Sequence, residues 1–257
     1  NECKVSISAN DLVMVCGAAG GLNITLKTLL DNEDEVLIFA PYFVEYLFYA
    51  DNHGGKAVAV KTHDDFTLDM DALKDALNEK TKAVIVNSPN NPTGVVYSRA
   101  ELQQLAEILK VHSEETGKTV YLISDDPYQK ITFDGVEAVN ILELYENRIY
   151  ITSHSKDIAL PGERIGFVAV HPECDSFELL MSGLVFCNRV LGFVNAPALI
   201  QRVVKQVQGV TVDVEQYLRK RDYLYNQLNR IGYQVVKPQG AFYFFPKSPL
   251  EDEVEFV

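Results

Sequence analysis

Lys156 stands in the stretch 153–167, SHSKDIALPGERIGF, flanked by two hydroxyls, Ser153 and Ser155, and followed eight positions later by Arg164. A lysine amine is a nucleophile only when neutral, and partial burial beside a fixed cation favours that form. Lys156 is therefore a candidate Schiff-base former. Hydroxyls and a guanidinium around it suit a phosphate, because arginine offers a planar fork of donors and serine adds directed hydrogen bonds. A carbonyl and a phosphate on one small ligand describes pyridoxal 5'-phosphate. The SxSK pattern alone is short, and an ordinary surface lysine fits it too.

Other residues able to do chemistry stand where apolar runs end. Residues 12–16 (LVMVC) read as a strand running into Gly17, Ala18, Ala19, Gly20 and Gly21, after which Leu22, Leu26, Leu29 and Leu30 recur at helical spacing. That is strand, tight turn, helix. The small residues let backbone amides approach a ligand closely, and the helix start offers N–H groups to an anion; a simple packing turn explains the glycines equally well. Residues 35–39 (EVLIF) form a second strand emptying into PYFVEY, where Phe43 is placed to stack on a flat ring or to fill core. Residues 56–61 read as a third strand and 69–78 as a short helix.

The run 83–86 ends at Asn87, followed by SPNNPTG, which two prolines and a glycine exclude from regular structure. A rigid turn and a source of amide donors are both consistent with it. Ser98 and Glu101 form a capping box opening a helix to about residue 115. Residues 120–124 (VYLIS) deliver Asp125, Asp126, Pro127 and Tyr128. An acid there is costly unless hydrogen-bonded or paired, and a cation is the sharper expectation. Residues 149–152 end at Ser153, and 166–171 form another strand. Four strands thus discharge glycines, amides, acids and a lysine at their carboxyl ends, the edge at which ligands sit in open α/β sheets. The fold class expected is α/β, a mostly parallel central sheet sandwiched by helices, with part of a smaller α+β domain.

Beyond the sheet, 178–198 reads as apolar and helical in parts. Residues 214–231 read as a long helix with Tyr217, Leu218, Leu224, Tyr225 and Leu228 inward, ending at Gly232. Residues 233–236 and 241–245 read as strands. A boundary near 210 divides a large domain, 1–210, from a partial small one, 211–257.

At 257 residues the chain can bury a substantial core. A formal charge of −13 argues against nucleic acid or an anionic membrane as partner, since both require clustered lysine and arginine. Cys3, Cys16, Cys174 and Cys187 show no metal-ligand spacing and no CxxC pair, so they read as reduced thiols of a cytoplasmic protein. No apolar run reaches membrane-spanning length, and no signal peptide is expected.

The motifs NNPTG (90–94), DxxY (125–128), SxSKxxxLPGxRIG (153–166) and GAFYxFP (240–246) stand in this order along the chain. In these the sequence resembles the fold-type I pyridoxal-phosphate enzymes, specifically the class I/II aminotransferases of the aspartate aminotransferase superfamily. The resemblance implies that Lys156 holds the cofactor as a Schiff base and serves as general base, and that Asp125 pairs with the pyridinium nitrogen. It places Asn91 and Tyr128 at the ring's phenolic oxygen and Phe43 on the ring face. Arg164, Ser153, Ser155 and the backbone at Ala18 and Ala19 fall to the phosphate. It further implies amino acid and 2-oxo acid substrates and a homodimer. Compared with the family, a leading segment and the segment after GAFYxFP, with its arginine for the substrate α-carboxylate, are missing. The expectation is therefore a truncated chain that does not turn over alone, with a structural role for Arg189. Two further readings stand beside this one: a C–S β-lyase using the same cofactor, and a non-catalytic nucleotide-binding module using 17–21, for which no GxGxxG or Walker pattern is present.

Overall fold

The apolar runs become one seven-stranded sheet in a computed structural model of the chain, which describes residues 5–256. Its strands are β1 (Leu12–Val15), β2 (Glu35–Phe39), β3 (Lys56–Val60), β4 (Thr81–Val86), β5 (Tyr121–Asp125), β6 (Arg148–Ser153) and β7 (Gly166–Val170), in the order β1-β7-β6-β5-β4-β2-β3. Strands β2 to β6 pair in parallel, and β7 is antiparallel to both β6 and β1. Consequently β1 runs the same way as β6. The edge where six strands end is the edge where β7 begins.

The near-continuous apolar character of β2, β4, β5 and β6 follows from burial on both faces. Side chains alternate along each strand. Val36, Ile38, Ile85, Ile123 and Ile151 pack on one side with helices α1 (Gly17–Leu29), α2 (Glu45–Asp51) and α5 (Phe177–Val190), through residues such as Leu22, Leu26, Tyr46 and Leu184. Leu37, Phe39, Val84, Val86 and Leu122 pack on the other with α3 (Met70–Ala76) and α4 (Arg99–Thr116), through Leu73, Leu102, Leu105 and Leu109. The α/β class with a mostly parallel sheet between helices is therefore what forms.

Local signals work as the residue types dictate. Ser98 and Glu101 make both halves of the capping box at the start of α4, and Gly117 ends that helix at a left-handed φ of 67°. Asp69 caps α3 by accepting from the N–H groups of Asp71 and Ala72.

Four expectations need correction. Gly17 to Gly21 is not a turn preceding a helix but the first turn of α1 itself, with the reversal confined to Gly17 at a φ of 75°. The small residues are there for contact: a Cβ on Gly21 would come within 2.7 Å of Ile151. Helix α2 was not anticipated, and α6 (Ala198–Gln206) forms as a separate helix. Helix α7 (Val214–Arg230) forms and Gly232 follows it at a φ of 98°, but its one fully buried residue is Arg221, while Leu224 is exposed. Arg221 is held by Asp134, Asp222 and the Pro238 carbonyl. Residues 233–236 and 241–245 are not strands. Among the described residues the bridges in this part of the chain are the isolated ones of Val235 with Pro246 and Gly240 with Thr132.

Cys16, Cys174 and Cys187 are free thiols, and Cys3 lies outside the described residues. Among the described residues no helix is long and apolar enough to cross a membrane.

Candidate active site

Asp125 is the last residue of β5 and Ser153 the last of β6, so both stand at the carboxyl edge of neighbouring strands. The chain leaves β6 through Ser155 and Lys156, makes a short 3-10 turn at Pro161–Glu163, and re-enters the sheet as β7 with Gly166 opposite Ser153. The antiparallel return brings Arg164 back to the edge that Lys156 occupies. Gly166 permits that return, because a Cβ there would strike the Thr152 carbonyl oxygen. Arg164 takes a left-handed φ of 49°, and its Nη1 donates to the Pro161 carbonyl at 2.9 Å.

The guanidinium comes to rest against the start of α1. A Cβ on Gly17 would lie 3.0 Å from Nη2 of Arg164, so only glycine leaves that approach open. The N-cap residue of α1, Cys16, makes no side-chain capping hydrogen bond among the described residues. Helix N–H groups and an arginine fork facing one space make a site for an anion such as phosphate.

All ten residues singled out from the sequence (Ala18, Ala19, Phe43, Asn91, Asp125, Tyr128, Ser153, Ser155, Lys156 and Arg164) line one cavity of about 250 Å³. Arg189 is exposed on α5 and does not line it. The Lys156 ammonium lies 5.6 Å from the centre of the Phe242 ring. Phe242 in turn meets Tyr128 edge-on at 5.4 Å and stacks on Tyr217 at 5.6 Å. The segment 240–246 thus reaches the lysine although it is not a strand.

Asp125 is buried, and burial pushes its carboxyl up to about 6. No cation of the described residues pairs with it. The partner is a tyrosine: Tyr46 Oη donates to Oδ2 at 2.7 Å, which opposes the effect of burial, while Oδ1 has no hydrogen-bond partner among the described residues. A buried carboxylate oxygen left without a donor is unfavourable by itself. Asp126, the next residue, lines a different cavity with His154 and Asp157, takes a hydrogen bond from Ser124, and is pushed up to about 8 by burial and by Asp125.

The amide of Asn87 donates to the Asp125 main-chain carbonyl and accepts from the Asn91 N–H at 2.6 Å. The loop carrying both asparagines is tied down by the chain beyond α7: the N–H groups of Gln239 and Gly240 donate to the Gly94 carbonyl, and Gln239 accepts from the Val96 N–H. Close approach again requires glycine, since a Cβ on Gly94 would meet Pro238 at 2.6 Å. Tyr128 and Tyr243 share a hydroxyl-to-hydroxyl bond of 2.7 Å.

Sequence reasoning did not single out four further residues of the cavity wall, Glu45, Tyr46, Asn87 and Tyr243. Tyr46 had a readable signal. It follows Phe43 by three residues, the spacing that puts both on one side of a helical turn, and the two rings meet edge-on at 5.6 Å. Asn87 is the first residue after β4, at the same edge as Asp125.

The family model for "Aminotransferase class I and II" matches residues 1–257. The chain is 31% identical over 263 aligned positions to a probable aspartate aminotransferase of Methanocaldococcus jannaschii, covering 99% of this chain and 67% of that protein. It is 32% identical to aromatic-amino-acid aminotransferase 2 of Thermococcus litoralis, covering 92% of this chain and 60% of the relative. A crystal structure of an amino transferase from Eubacterium rectale superposes with a TM-score of 0.96 at 39% identity, over 98% of this chain and 64% of that one. The chain therefore spans 60–67% of the length of these proteins.

Proposed function

This chain belongs to the aminotransferase class I and II family, and from that premise we propose that it is the cofactor-binding part of an enzyme that moves an amino group between an L-amino acid and a 2-oxo acid. The family depends on pyridoxal 5'-phosphate. The observation that carries the proposal is the unpartnered, buried Oδ1 of Asp125, in a cavity whose other walls hold Lys156 and the Arg164–α1 anion seat. A ligand with a protonated ring nitrogen at one end and a phosphate at the other satisfies both.

In this reading Asp125 would accept a hydrogen bond from the protonated ring nitrogen and keep it protonated, and Asn91 and Tyr128 would hold the ring hydroxyl. Phe43 covers one ring face. Ser153, Ser155, Arg164 and the backbone at Ala18 and Ala19 hold the phosphate. Lys156 would hold the cofactor through its aldehyde carbon with loss of water, and, once the substrate amine had displaced it there, its amine would be placed to move a proton at the substrate Cα. The bound cofactor supplies an electron sink for the pair left at that carbon. The relatives reported above carry aminotransferase names, which favours transfer over β-elimination by a lyase.

Assembly as a homodimer, a cytoplasmic setting, and a division into units 1–210 and 211–257 belong to the same reading. Their supports are, in turn, the exposed apolar residues of α5 and α6, the free thiols, and the completion of the sheet before residue 210.

The test is a panel of amino donors and 2-oxo acid acceptors presented to the cofactor-loaded protein that contains this chain. Amino transfer that disappears in Lys156→Ala is expected. Pyruvate and ammonia released from a β-substituted amino acid without any acceptor, and no transfer with any pair, would replace the aminotransferase by the lyase.

A further inference from the structure

The carboxylate of Asp125 has two oxygens in unlike settings, and Tyr46 makes them so. Tyr46 lies in the first turn of α2, is buried, and belongs to the core cluster beneath the sheet. Its hydroxyl donates to Oδ2 at 2.7 Å, and Oδ1 has no partner among the described residues. The main chain of Asp125 is fixed separately, by the side-chain amide of Asn87. Resting on the function proposed above, we propose that Tyr46 is a positioning residue: its phenol occupies one oxygen of Asp125 and leaves Oδ1 alone to accept a hydrogen bond from the protonated ring nitrogen of the cofactor.

Burial and the neighbouring acids raise the Tyr46 phenol well above its ordinary value, so it remains a donor throughout the range in which the enzyme would work. The charged and titratable groups around Asp125 are Tyr46 and Tyr49 from α2, Asp126 along the chain, and Tyr128 beyond it. Glu45, Lys156 and Arg164 complete the cavity wall. Of these, Tyr46 alone is hydrogen-bonded to the Asp125 carboxylate. Asp126 is engaged with Ser124 and faces another cavity.

Without the phenol the carboxylate would be more basic, and the proton shared with a bound ring nitrogen would shift toward Asp125. The same segment supplies the ring wall, since Phe43 packs edge-on against Tyr46. A tyrosine serving only as core would find any convenient acceptor for its hydroxyl, and its removal would alter packing without altering where that proton resides.

The experiment compares the wild type, Tyr46→Phe, and protein carrying 3-fluorotyrosine at position 46, whose phenol is more acidic and hence a stronger donor. In the pyridoxal-phosphate-loaded protein, ¹⁵N resonance of labelled cofactor reads the ring nitrogen. In the full chain without cofactor, ¹³C resonance of the Asp125 carboxyl reads its titration. Tyr46→Phe is expected to move the ring nitrogen toward the neutral-pyridine position and to raise the Asp125 titration by about one unit or more. Fluorotyrosine is expected to move both in the opposite direction. Opposite signs do not arise from packing. Ring-nitrogen and Asp125 signals that stay put in both proteins overturn the assignment. A wild type that takes up no pyridoxal phosphate fails the function proposed above instead; the Asp125 titration then decides the Tyr46 coupling alone, and an unmoved value overturns it.

Discussion

Asp125 and Asp126 are adjacent, equally buried carboxyls with different surroundings, and those surroundings separate their work. Asp125 faces the lysine cavity with one oxygen free; Asp126 faces the other way with Ser124 as donor. Replacing Asp125 by alanine is expected to reduce turnover by about 100-fold or more while cofactor affinity falls much less, because its charge acts on the reacting electron pair rather than on retention. Steady-state kinetics beside a cofactor titration check this, and equal losses would make Asp125 mainly structural. Asp126 tells on stability. Its folded-state value is raised from 3.8 to about 8, so the folded chain holds a proton that the unfolded chain has released, and stability falls as pH rises from about 4 to about 8. Asp126→Asn lacks that loss. The variant is expected to gain on the wild type steadily as pH rises from about 4 to about 8, by on the order of 5 kcal/mol across that range, measured by denaturant melts. From sequence, an acid closing an apolar strand marked Asp125 as needing a partner. That the partner is a tyrosine rather than a cation was not legible: the spacing from Phe43 sets Tyr46 beside the ring wall, but nothing in the sequence joins a residue of α2 to the end of β5.

At the scale of elements, the site depends on β7 returning antiparallel. A βαβ crossover would place Arg164 at the opposite edge, whereas the hairpin-like return through Pro161–Glu163 sets it beside Lys156. Gly166→Ala is therefore expected to destabilise the fold by about 2–4 kcal/mol and to weaken phosphate retention at the same time, since the added Cβ meets the Thr152 carbonyl. Ser98→Ala removes the cap of α4, and Ser98 is not among the cavity-lining residues. It is expected to lower stability by about 1 kcal/mol with cofactor affinity unchanged. Melts and cofactor titrations on the two variants separate an element that builds the site from one that only supports the sheet. The strands of the sheet were readable because burial on both faces leaves near-continuous apolar runs. The start of α1 was not, since glycines chosen for close contact with β6 look like glycines chosen for a turn. Residues 241–245 carry strand-like composition but hold the site as single contacts, with Phe242 on Lys156 and Tyr243 on Tyr128.

At the scale of the molecule, an apolar stripe remains open on the far side of α5 and α6. Leu179 (76% exposed), Phe186 (65%) and Val190 follow one another along one face of α5, and Leu199 (72%) and Val203 lie a turn apart on α6. Phe186→Asp is expected to weaken self-association severalfold in sedimentation experiments if that stripe is the dimer contact, and an unchanged dimer would move the contact elsewhere. The general arrangement was legible in the sequence because four short motifs, each modest alone, stand in one order and fall around one cavity. In the function proposed above, Lys156 would carry the cofactor across that cavity from Asp125. The most direct test is borohydride reduction of the pyridoxal-phosphate-loaded protein, followed by peptide mass spectrometry. One stable adduct on the peptide containing Lys156, absent in Lys156→Ala, is the predicted result; an adduct on another lysine, or one that persists in the variant, would contradict it.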